Sequence, residues 1–341
     1  MRMDTTPRAD GPWFDELEVG QVFAGAPSVT LTEGLAAVHQ SILGDRLRVP
    51  LDHHLARAVA GGPVAHPGLV TDVAIGQSTV VTRHVKANLF YRGLRFHAFP
   101  RLGDTLATRT EVVGLRSNRP RPGRGATGLA VLRVTTTDQD GRTVLDFHRC
   151  AMLPLAPGVD PGTCARDDDL STIGVGGARQ WAAPEGWDLG AYRSAVPGAP
   201  VPADGTVLRP GADVVSGAPE LARLTLNVAE THHDARVSGS GRLVYGGHTI
   251  GLALAQAARA LPSIVTVLGW HGCDHTGPVR EGDTLGSEVV VGAAAPLPGG
   301  GTALDLRSLV TAHRDDGDHP VLDWSYTVLV PCAPGTREGR P

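Results

Sequence analysis

Cysteine is scarce in this chain of 341 residues, and its spacing argues against several kinds of site. No two of the four cysteines form a C-x-x-C pair, so we predict neither a disulfide framework nor a redox or zinc motif. Cys273 lies between His271 and His275, which leaves a metal site as an alternative, but the three alternate along a predicted strand end and loop. We therefore expect no metal, and reduced cysteines at these positions: Cys150, Cys164, Cys273 and Cys332.

Long apolar runs and an excess of one charge are also missing. Residues 1–12 are polar and lack the apolar core of a signal peptide, and no run approaches the roughly 18 apolar residues of a membrane span. Lysine and arginine total 31 against 35 aspartates and glutamates, and no stretch forms a basic stripe. We expect a soluble cytoplasmic protein that binds neither nucleic acid nor membranes.

The chain repeats itself. Three pairs of segments match in the same order in the two halves: 61–66 with 243–248, 97–106 with 275–285, and 144–147 with 321–324. The second pair shares a Gly-Asp-Thr-Leu end, and the third reads Val-Leu-Asp followed by an aromatic residue. Because a chain of this length can bury two cores of ordinary size, we predict one fold used twice.

Each half contains one apolar helix followed by four β-rich runs. The helices, predicted over 68–81 and 249–261, are apolar around most of their circumference, which indicates that protein encloses them. The strands are predicted over 85–96, 105–113, 128–137, 143–153, 263–270, 284–291, 303–312 and 321–330. A long buried helix wrapped by an antiparallel sheet is the hot-dog arrangement, and two such sheets can join and protect their edges. We therefore predict an α+β protein with a tandem hot-dog fold, or double hot dog.

The two predicted domains are joined by a segment rich in proline and glycine. We place the N-terminal hot-dog domain at 10–155, the linker at 156–202 and the C-terminal hot-dog domain at 203–333. The linker carries the charged run 166–169, Arg-Asp-Asp-Asp, which suits a surface connection better than a packed element.

The densest polar cluster precedes the second predicted helix. It reads Asn-Val-Ala-Glu-Thr-His-His-Asp over 227–234 and Arg-Leu-Val-Tyr-Gly-Gly-His over 242–248. This region resembles the MaoC-type, R-specific enoyl-CoA hydratases, which carry G-D-x-N-P-[LIV]-H-x-D ahead of a G-x-x-[ILV]-x-H-G helix start. That family uses the Asp and the first His as its catalytic pair. Aligning on His232 puts Asn227 in the place of the Asp, and asparagine cannot act as a general base.

The mesaconyl-CoA (2-methylfumaryl-CoA) hydratase branch is similar in more detail. It has an N-x-A-x-x-H segment followed by R-L-V-Y-G-G-H, both present here, so Asn227 is typical of that branch. Segments 43–47, 56–58 and 88–96 of the first half resemble the same branch. The resemblance therefore covers nearly the whole chain apart from the linker, and it implies a hydro-lyase acting on a small acyl-CoA.

Dehydration chemistry assigns roles within the matched segments. Removing water from a 3-hydroxyacyl thioester requires a base for the carbon next to the carbonyl, a proton for the departing hydroxide, and donors for the enolate-like oxygen. His232 suits the base or acid, because imidazole titrates near neutrality. Asn227 can orient the water, with a local turn as its alternative role. The N–H groups of Gly246 or Gly247, at a predicted helix start, can hold the thioester oxygen.

Other side chains of the matched segments have two interpretations each. Tyr245 lines the acyl pocket or packs as an ordinary aromatic residue. His248 and Asp234 lie near the substrate or are structural, His248 at the helix entry and Asp234 as the cap of a turn. A free carboxylate on the substrate would need a cation, for which the arginines in matched segments are candidates: Arg92, Arg95 and Arg242.

The first half offers a possible second site. Gly44-Asp45 resembles the start of the hydratase motif, and His53 follows at a spacing that differs from the family's. A pair of Asp45 and His53 is one interpretation. The other is that this half lacks activity and widens the pocket for the acyl chain.

We predict a hydratase or dehydratase acting on a branched or dicarboxylic acyl-CoA, with its active site in the C-terminal half. The resemblance implies no metal or redox cofactor, because coenzyme A is part of the substrate. A hot-dog thioesterase, an acyl-carrier-protein dehydratase and a non-catalytic acyl-thioester-binding protein remain alternatives, since one fold hosts many functions. We also expect a homo-oligomer, with a dimer as the simplest form.

Overall fold

The computed structural model describes residues 11–119, 121–176, 180–196, 201–237 and 241–331. The α-helices in these ranges are α1 (Glu33–Leu43), α2 (Arg48–Leu51), α3 (His53–Ala60), α4 (Pro67–Ser78), α5 (Leu189–Ala195), α6 (Ala218–Leu224) and α7 (Gly246–Ala260). The strands are β1 (Val22–Phe23), β2 (Val29–Thr30), β3 (Ala87–Phe96), β4 (Thr105–Ser117), β5 (Thr127–Thr137), β6 (Thr143–Pro154), β7 (Val207–Leu208), β8 (Asp213–Val214), β9 (Thr266–His275), β10 (Thr284–Pro296), β11 (Thr302–Arg314) and β12 (Gly317–Val330).

A single antiparallel sheet runs through both halves of the chain. Its long strands lie in the order β4-β5-β6-β3-β9-β12-β11-β10, so each half supplies four neighbouring strands. The halves meet where β3 pairs with β9, with Tyr91 opposite Cys273. This pairing removes one free edge from each half-sheet. The predicted α+β double hot dog is therefore confirmed.

The central helices α4 and α7 are wrapped by the two half-sheets. Almost every residue of each is buried, as expected for helices that are apolar on all sides. Each helix is bonded by a glutamine to the second long strand of its half, β4 or β10: Gln77 Nε2 donates to Leu106 O at 3.1 Å, and Gln256 Nε2 donates to Leu285 O at 2.8 Å. The repeat seen in the sequence thus extends to individual hydrogen bonds.

One match between the halves differs from the sequence alignment. Helix α4 begins directly after His66, and α7 begins directly after Tyr245. The glutamine bonds give the same alignment, so Tyr245 occupies the place of His66, and His248 lies one turn inside its helix. Aligning the two histidines was wrong, because α7 starts at Gly246, two residues before His248, whereas α4 starts directly after His66.

Part of the segment predicted as a linker is packed. Helix α5 lies against α3, and Tyr192 is fully buried with its hydroxyl donating to Ile264 O at 3.2 Å. The aromatic and leucine side chains of this short helix account for its burial. The domain limits at 155 and 203 remain a prediction.

Helices α1, α3, α5 and α6 were not predicted, because short helices around a sheet carry a weak periodic signal. Within the ranges that the structure describes, no helix is long and apolar enough to cross a membrane.

Candidate active site

A cavity of about 450 Å³ lies where the polar cluster of the second half faces the start of β3 in the first half. Residues of both halves line it, and several of them carry polar side chains. The polar and glycine residues that the argument uses are Lys86, Tyr91, Arg149, Asn227, His232, Tyr245, Gly246, His275 and Arg280. The predicted pair His232 and Asn227 therefore shares one cavity.

His232 ends a 3₁₀ turn over Glu230–His232 and has a defined tautomer. Its Nδ1 lies 2.8 Å from Leu243 O, and a carbonyl can only accept, so Nδ1 carries the proton. Burial lowers the pKa of His232 to about 4, although the bond to Leu243 opposes that shift. The ring is therefore neutral at pH 7, with the lone pair of Nε2 free to take a proton.

Asn227 presents a donor at the same cavity. Its Oδ1 accepts from Ala229 N at 3.0 Å, which forms a tight turn after α6. Its Nδ2 is buried and has no partner among the described residues. Since an unpaired buried donor is costly, a bound water or substrate oxygen would stabilise this side chain.

The start of α7 supplies the glycines, which face different directions. Gly246 lines the cavity, and a Cβ there would lie 2.6 Å from His275 Nε2. Gly247 faces α4, where a Cβ would lie 2.1 Å from Asp72 Oδ1. The N–H groups of a helix's first residues have no acceptor within the helix, so Gly246 can donate toward the cavity. Gly247 is needed for close packing of the two helices.

Tyr245 lines the cavity and joins the two halves. Its hydroxyl donates to Asp72 Oδ1 at 3.1 Å, and Asp72 Oδ2 lies 3.2 Å from His39 Nε2. Burial and the nearby Asp72 carboxylate raise the pKa of Tyr245 well above its ordinary value. The hydroxyl therefore remains protonated. Tyr245 is packed and also lines the cavity, and its part in an acyl pocket stays a prediction.

His275 and Arg149 are among the cavity residues that sequence reasoning did not assign to the active site. His275, considered from sequence only in a repeated segment and as a possible metal ligand, lies on β9 with its ring edge-on to Tyr91, and burial lowers its pKa to about 4. Arg149 lies on the inner side of β6, 2% exposed. The repeat could have drawn attention to Arg149. When the Val-Leu-Asp segments of the two halves are aligned, this charged residue stands at the position that Tyr326 holds in the second half.

Asp234, Arg242 and His248, which were assigned to the site from sequence, lie outside this cavity. Asp234 pairs with Arg236 at 2.6 Å, which lowers its pKa to about 2, and it caps a local turn. Arg242 pairs with Glu281 at 2.9 Å on the surface. His248 is fully buried, and burial lowers its pKa to about 4.

Arg95 and Arg92 also lie outside the cavity beside His232. Arg95 borders a separate cavity of about 490 Å³ and donates to Gln180 O at 3.0 Å. Arg92 donates to backbone carbonyls of 170–173. Neither arginine lines the cavity beside His232.

The structure does not bring Asp45 and His53 together. Asp45 is buried 3.0 Å from His66 Nε2, and its Oδ2 also accepts from Leu47 N. Burial raises the pKa of Asp45, but the adjacent imidazole outweighs it and lowers the pKa below its ordinary value. His53 lies on α3, 4.0 Å from Glu33 at the surface. The polar pair of the first half is therefore Asp45 and His66.

The predicted metal alternative was Cys273 with its neighbouring histidines. All three residues lie on β9, where His271 bonds to Asp305 and Thr327 while His275 faces the cavity. Across the described residues, no group of three or more potential ligands could hold a metal ion. Cys150, Cys164 and Cys273 are free thiols, and Cys332 lies outside the described residues.

Two curated proteins are similar to this chain over nearly its full length. No protein-family model matches it. A β-methylmalyl-CoA dehydratase of Chloroflexus aurantiacus is 28% identical over 94% of this chain and 97% of the relative. A mesaconyl-CoA hydratase of Cereibacter sphaeroides is 28% identical over 94% of this chain and 98% of the relative.

Solved structures give the same architecture. A Mycobacterium tuberculosis protein described as a double hot dog is 60% identical, with a TM-score of 0.89 over 94% of this chain and 99% of that one. A MaoC domain protein of Chloroflexus aurantiacus is 24% identical, with a TM-score of 0.77 over 96% of this chain and 100% of that one, and it supports the fold alone.

Proposed function

We propose that this chain, which belongs to the double hot-dog proteins, is a MaoC-like dehydratase that adds water to, or removes it from, a branched or dicarboxylic acyl-CoA. The observation that carries the proposal is His232, a neutral imidazole with Nδ1 bonded to Leu243 O and its ring at the wall of the cavity. The two curated relatives are named for this chemistry on mesaconyl-CoA and β-methylmalyl-CoA.

One base can carry the proton through the reaction. In hydration, His232 Nε2 takes a proton from water while the water oxygen bonds to the β carbon of the enoyl thioester. The π electrons move to the carbonyl, giving an enolate-like oxygen. The imidazolium then returns the proton to the α carbon, so one water has been added. Dehydration is the reverse path, and no carboxylate is required at position 227.

The neighbouring groups support charge development and binding. The Gly246 N–H, at the start of α7, is placed to donate to the thioester oxygen as its charge grows. Asn227 Nδ2 can donate to the attacking water. Lys86, which is the chain's only lysine and is exposed, lines the same cavity together with Arg280, and both suit the phosphates of coenzyme A.

The test is to incubate the purified chain with mesaconyl-CoA and, separately, with crotonyl-CoA. Enoyl absorbance, product mass and free thiol are followed, with His232→Ala as the test variant and His313→Ala, an exposed histidine paired with Asp318, as the control. We expect one water to be gained on mesaconyl-CoA, and the gain to be lost only in His232→Ala. Release of thiol would indicate a thioesterase. Binding without conversion would indicate a non-catalytic protein, and either result would overturn the proposal.

A further inference from the structure

Arg149 is a buried cation that forms no ion pair with any acidic residue in the described part of the chain. Its Nη1 donates to Ser78 Oγ at 2.8 Å and its Nη2 to Thr82 Oγ1 at 2.7 Å, both hydroxyls near the C-terminal end of α4. Its Nε has no partner, and no carboxylate pairs with it among the described residues. Burial lowers the pKa of this guanidinium, which nevertheless stays charged because its ordinary pKa is so high.

The guanidinium lies beside the catalytic group. Arg149 lines the same cavity as His232, and its charge contributes to lowering the pKa of the His232 imidazole. It also acts electrostatically on Tyr91 and Tyr245, whose rings face the same space. The cavity wall therefore carries a fixed positive charge close to the position where the acyl group must lie.

A buried charge that no opposite charge neutralises destabilises the folded protein. Removing an ion from water is strongly unfavourable, and two neutral hydroxyls compensate only part of that loss of hydration. The other half of the molecule has no such charge, because its matching residue, Tyr326, bonds to the neutral Ser308 hydroxyl at 3.1 Å. The fold therefore does not require an arginine here, and a role in binding an anion accounts for its presence.

We propose that Arg149 binds the free carboxylate of a dicarboxylic acyl thioester and so selects such substrates over neutral ones. This rests on the proposed function for the reacting end of the molecule. The planar fork of arginine matches a carboxylate, and both charges would be neutralised away from water. Arg92, Arg95 and Arg242, the arginines considered from sequence, do not line this cavity.

The test compares two thioesters that differ at one group. Mesaconyl-CoA carries a carboxylate where 2-methylcrotonyl-CoA carries a methyl group. Their dissociation constants are measured by titration calorimetry in a His232→Ala background, so that the ligands stay unreacted. We expect the parent to prefer mesaconyl-CoA by at least tenfold. Arg149→Met should weaken mesaconyl-CoA binding roughly 100-fold and change 2-methylcrotonyl-CoA binding by less than about threefold.

Arg133→Met is the matched control, because Arg133 lies on the adjacent β5, faces outward and pairs with Asp146. It should keep the parent preference. Equal affinity of the parent for both ligands, or a preference that survives in Arg149→Met, would overturn the proposal. If the Met variant does not fold, Arg149→Lys decides: loss of the fork should weaken the preference, and an unchanged preference contradicts it.

These outcomes are independent of turnover. A chain that binds mesaconyl-CoA through Arg149 but never hydrates it would contradict the proposed function and leave this inference standing. A chain that hydrates both thioesters equally well and binds them with equal affinity would support the proposed function and contradict this inference.

Discussion

The two halves share one fold but use their polar residues differently. In the first half, Asp45 Oδ2 lies 3.0 Å from His66 Nε2, so a buried acid lies against a buried base. At the matching places of the second half stand Asn227 and Tyr245. Asn227 keeps an unpartnered Nδ2 at the cavity, and Tyr245 bonds across to Asp72 of the first half.

This difference separates a structural polar pair from a reactive one. Asp45 and His66 line neither the cavity of about 450 Å³ beside His232 nor the cavity of about 490 Å³ bordered by Arg95, whereas Asn227 and Tyr245 line the former. Polar groups that are paired within the protein stabilise the fold. Groups left unpaired around a cavity are available to a ligand.

The largest difference in kcat should be seen between two variants that each remove one imidazole, His232 in the second half and His66 in the first. We expect His232→Ala to lower kcat by roughly 100-fold to 10,000-fold, the range for loss of a general acid or base. His66→Gln should leave kcat nearly unchanged and lower the free energy of unfolding by about 1 to 3 kcal/mol, because Asp45 loses its partner. Steady-state kinetics and urea unfolding of both variants check this. A large loss of kcat in His66→Gln would assign activity to the first half.

Acid should destabilise the second half through His248. Both ring nitrogens of this fully buried residue lack partners among the described residues, and its pKa of about 4 lies below the unfolded value near 6.5. The unfolded chain binds the extra proton. The contribution of neutral His248 to the free energy of unfolding is therefore complete above pH 6.5 and is lost as the pH falls toward 4. The contribution is roughly 3 kcal/mol.

The measurement for His248 is the free energy of unfolding between pH 7 and 4 for the wild type and for His248→Leu. The variant should show a shallower decline, because it has no proton to bind. If the free energy of unfolding falls equally with pH in both proteins, His248 of the wild type is already protonated at pH 7 or is solvated, and the prediction is wrong.

Removing the hydrogen bond between the halves should have a smaller effect. Tyr245→Phe leaves the buried Asp72 with one partner fewer, which we expect to lower the free energy of unfolding by about 1 to 3 kcal/mol. Since His232 is untouched, kcat should change little. Thermal unfolding and steady-state kinetics test this. A loss of kcat as large as that of His232→Ala would instead give the Tyr245 hydroxyl a direct part in the chemistry.

The smallest expected effect concerns the donor at position 227. Asn227→Ala removes the unpartnered Nδ2, and we expect kcat to fall about tenfold because the water loses one orienting contact. Replacement by serine, which can still donate, should recover part of the loss. No change in kcat for Asn227→Ala would show that Asn227 serves only its turn with Ala229.

Much of the fold could be predicted from the sequence because its signals are local. Alternating apolar residues and the Gly-Asp-Thr-Leu turns give the eight long strands, and the turns recur in detail. Asp104 accepts from Arg101 N at 2.7 Å, and Asp283 accepts from Arg280 N at 2.8 Å. The all-apolar helices α4 and α7 follow from composition in the same way.

The cavity could be predicted only in part because its members are distant in sequence. The motif placed His232, Asn227 and Gly246 together, since they lie on one stretch of chain. Arg149 sits in an apolar strand, and its partners Ser78 and Thr82 lie about 70 residues earlier. The sequence on either side of Arg149 gives no indication that its side chain is buried. Asp45 was likewise paired with His53 by spacing, whereas the fold places it against His66.

The most direct test of the central claim is a crystal structure of the His232→Ala protein with mesaconyl-CoA bound. The account predicts one acyl-CoA per chain, with its thioester oxygen near the Gly246 N–H and its reacting carbons in the space vacated by the imidazole. Acyl density beside Asp45 and His66, or in the cavity bordered by Arg95, would contradict it.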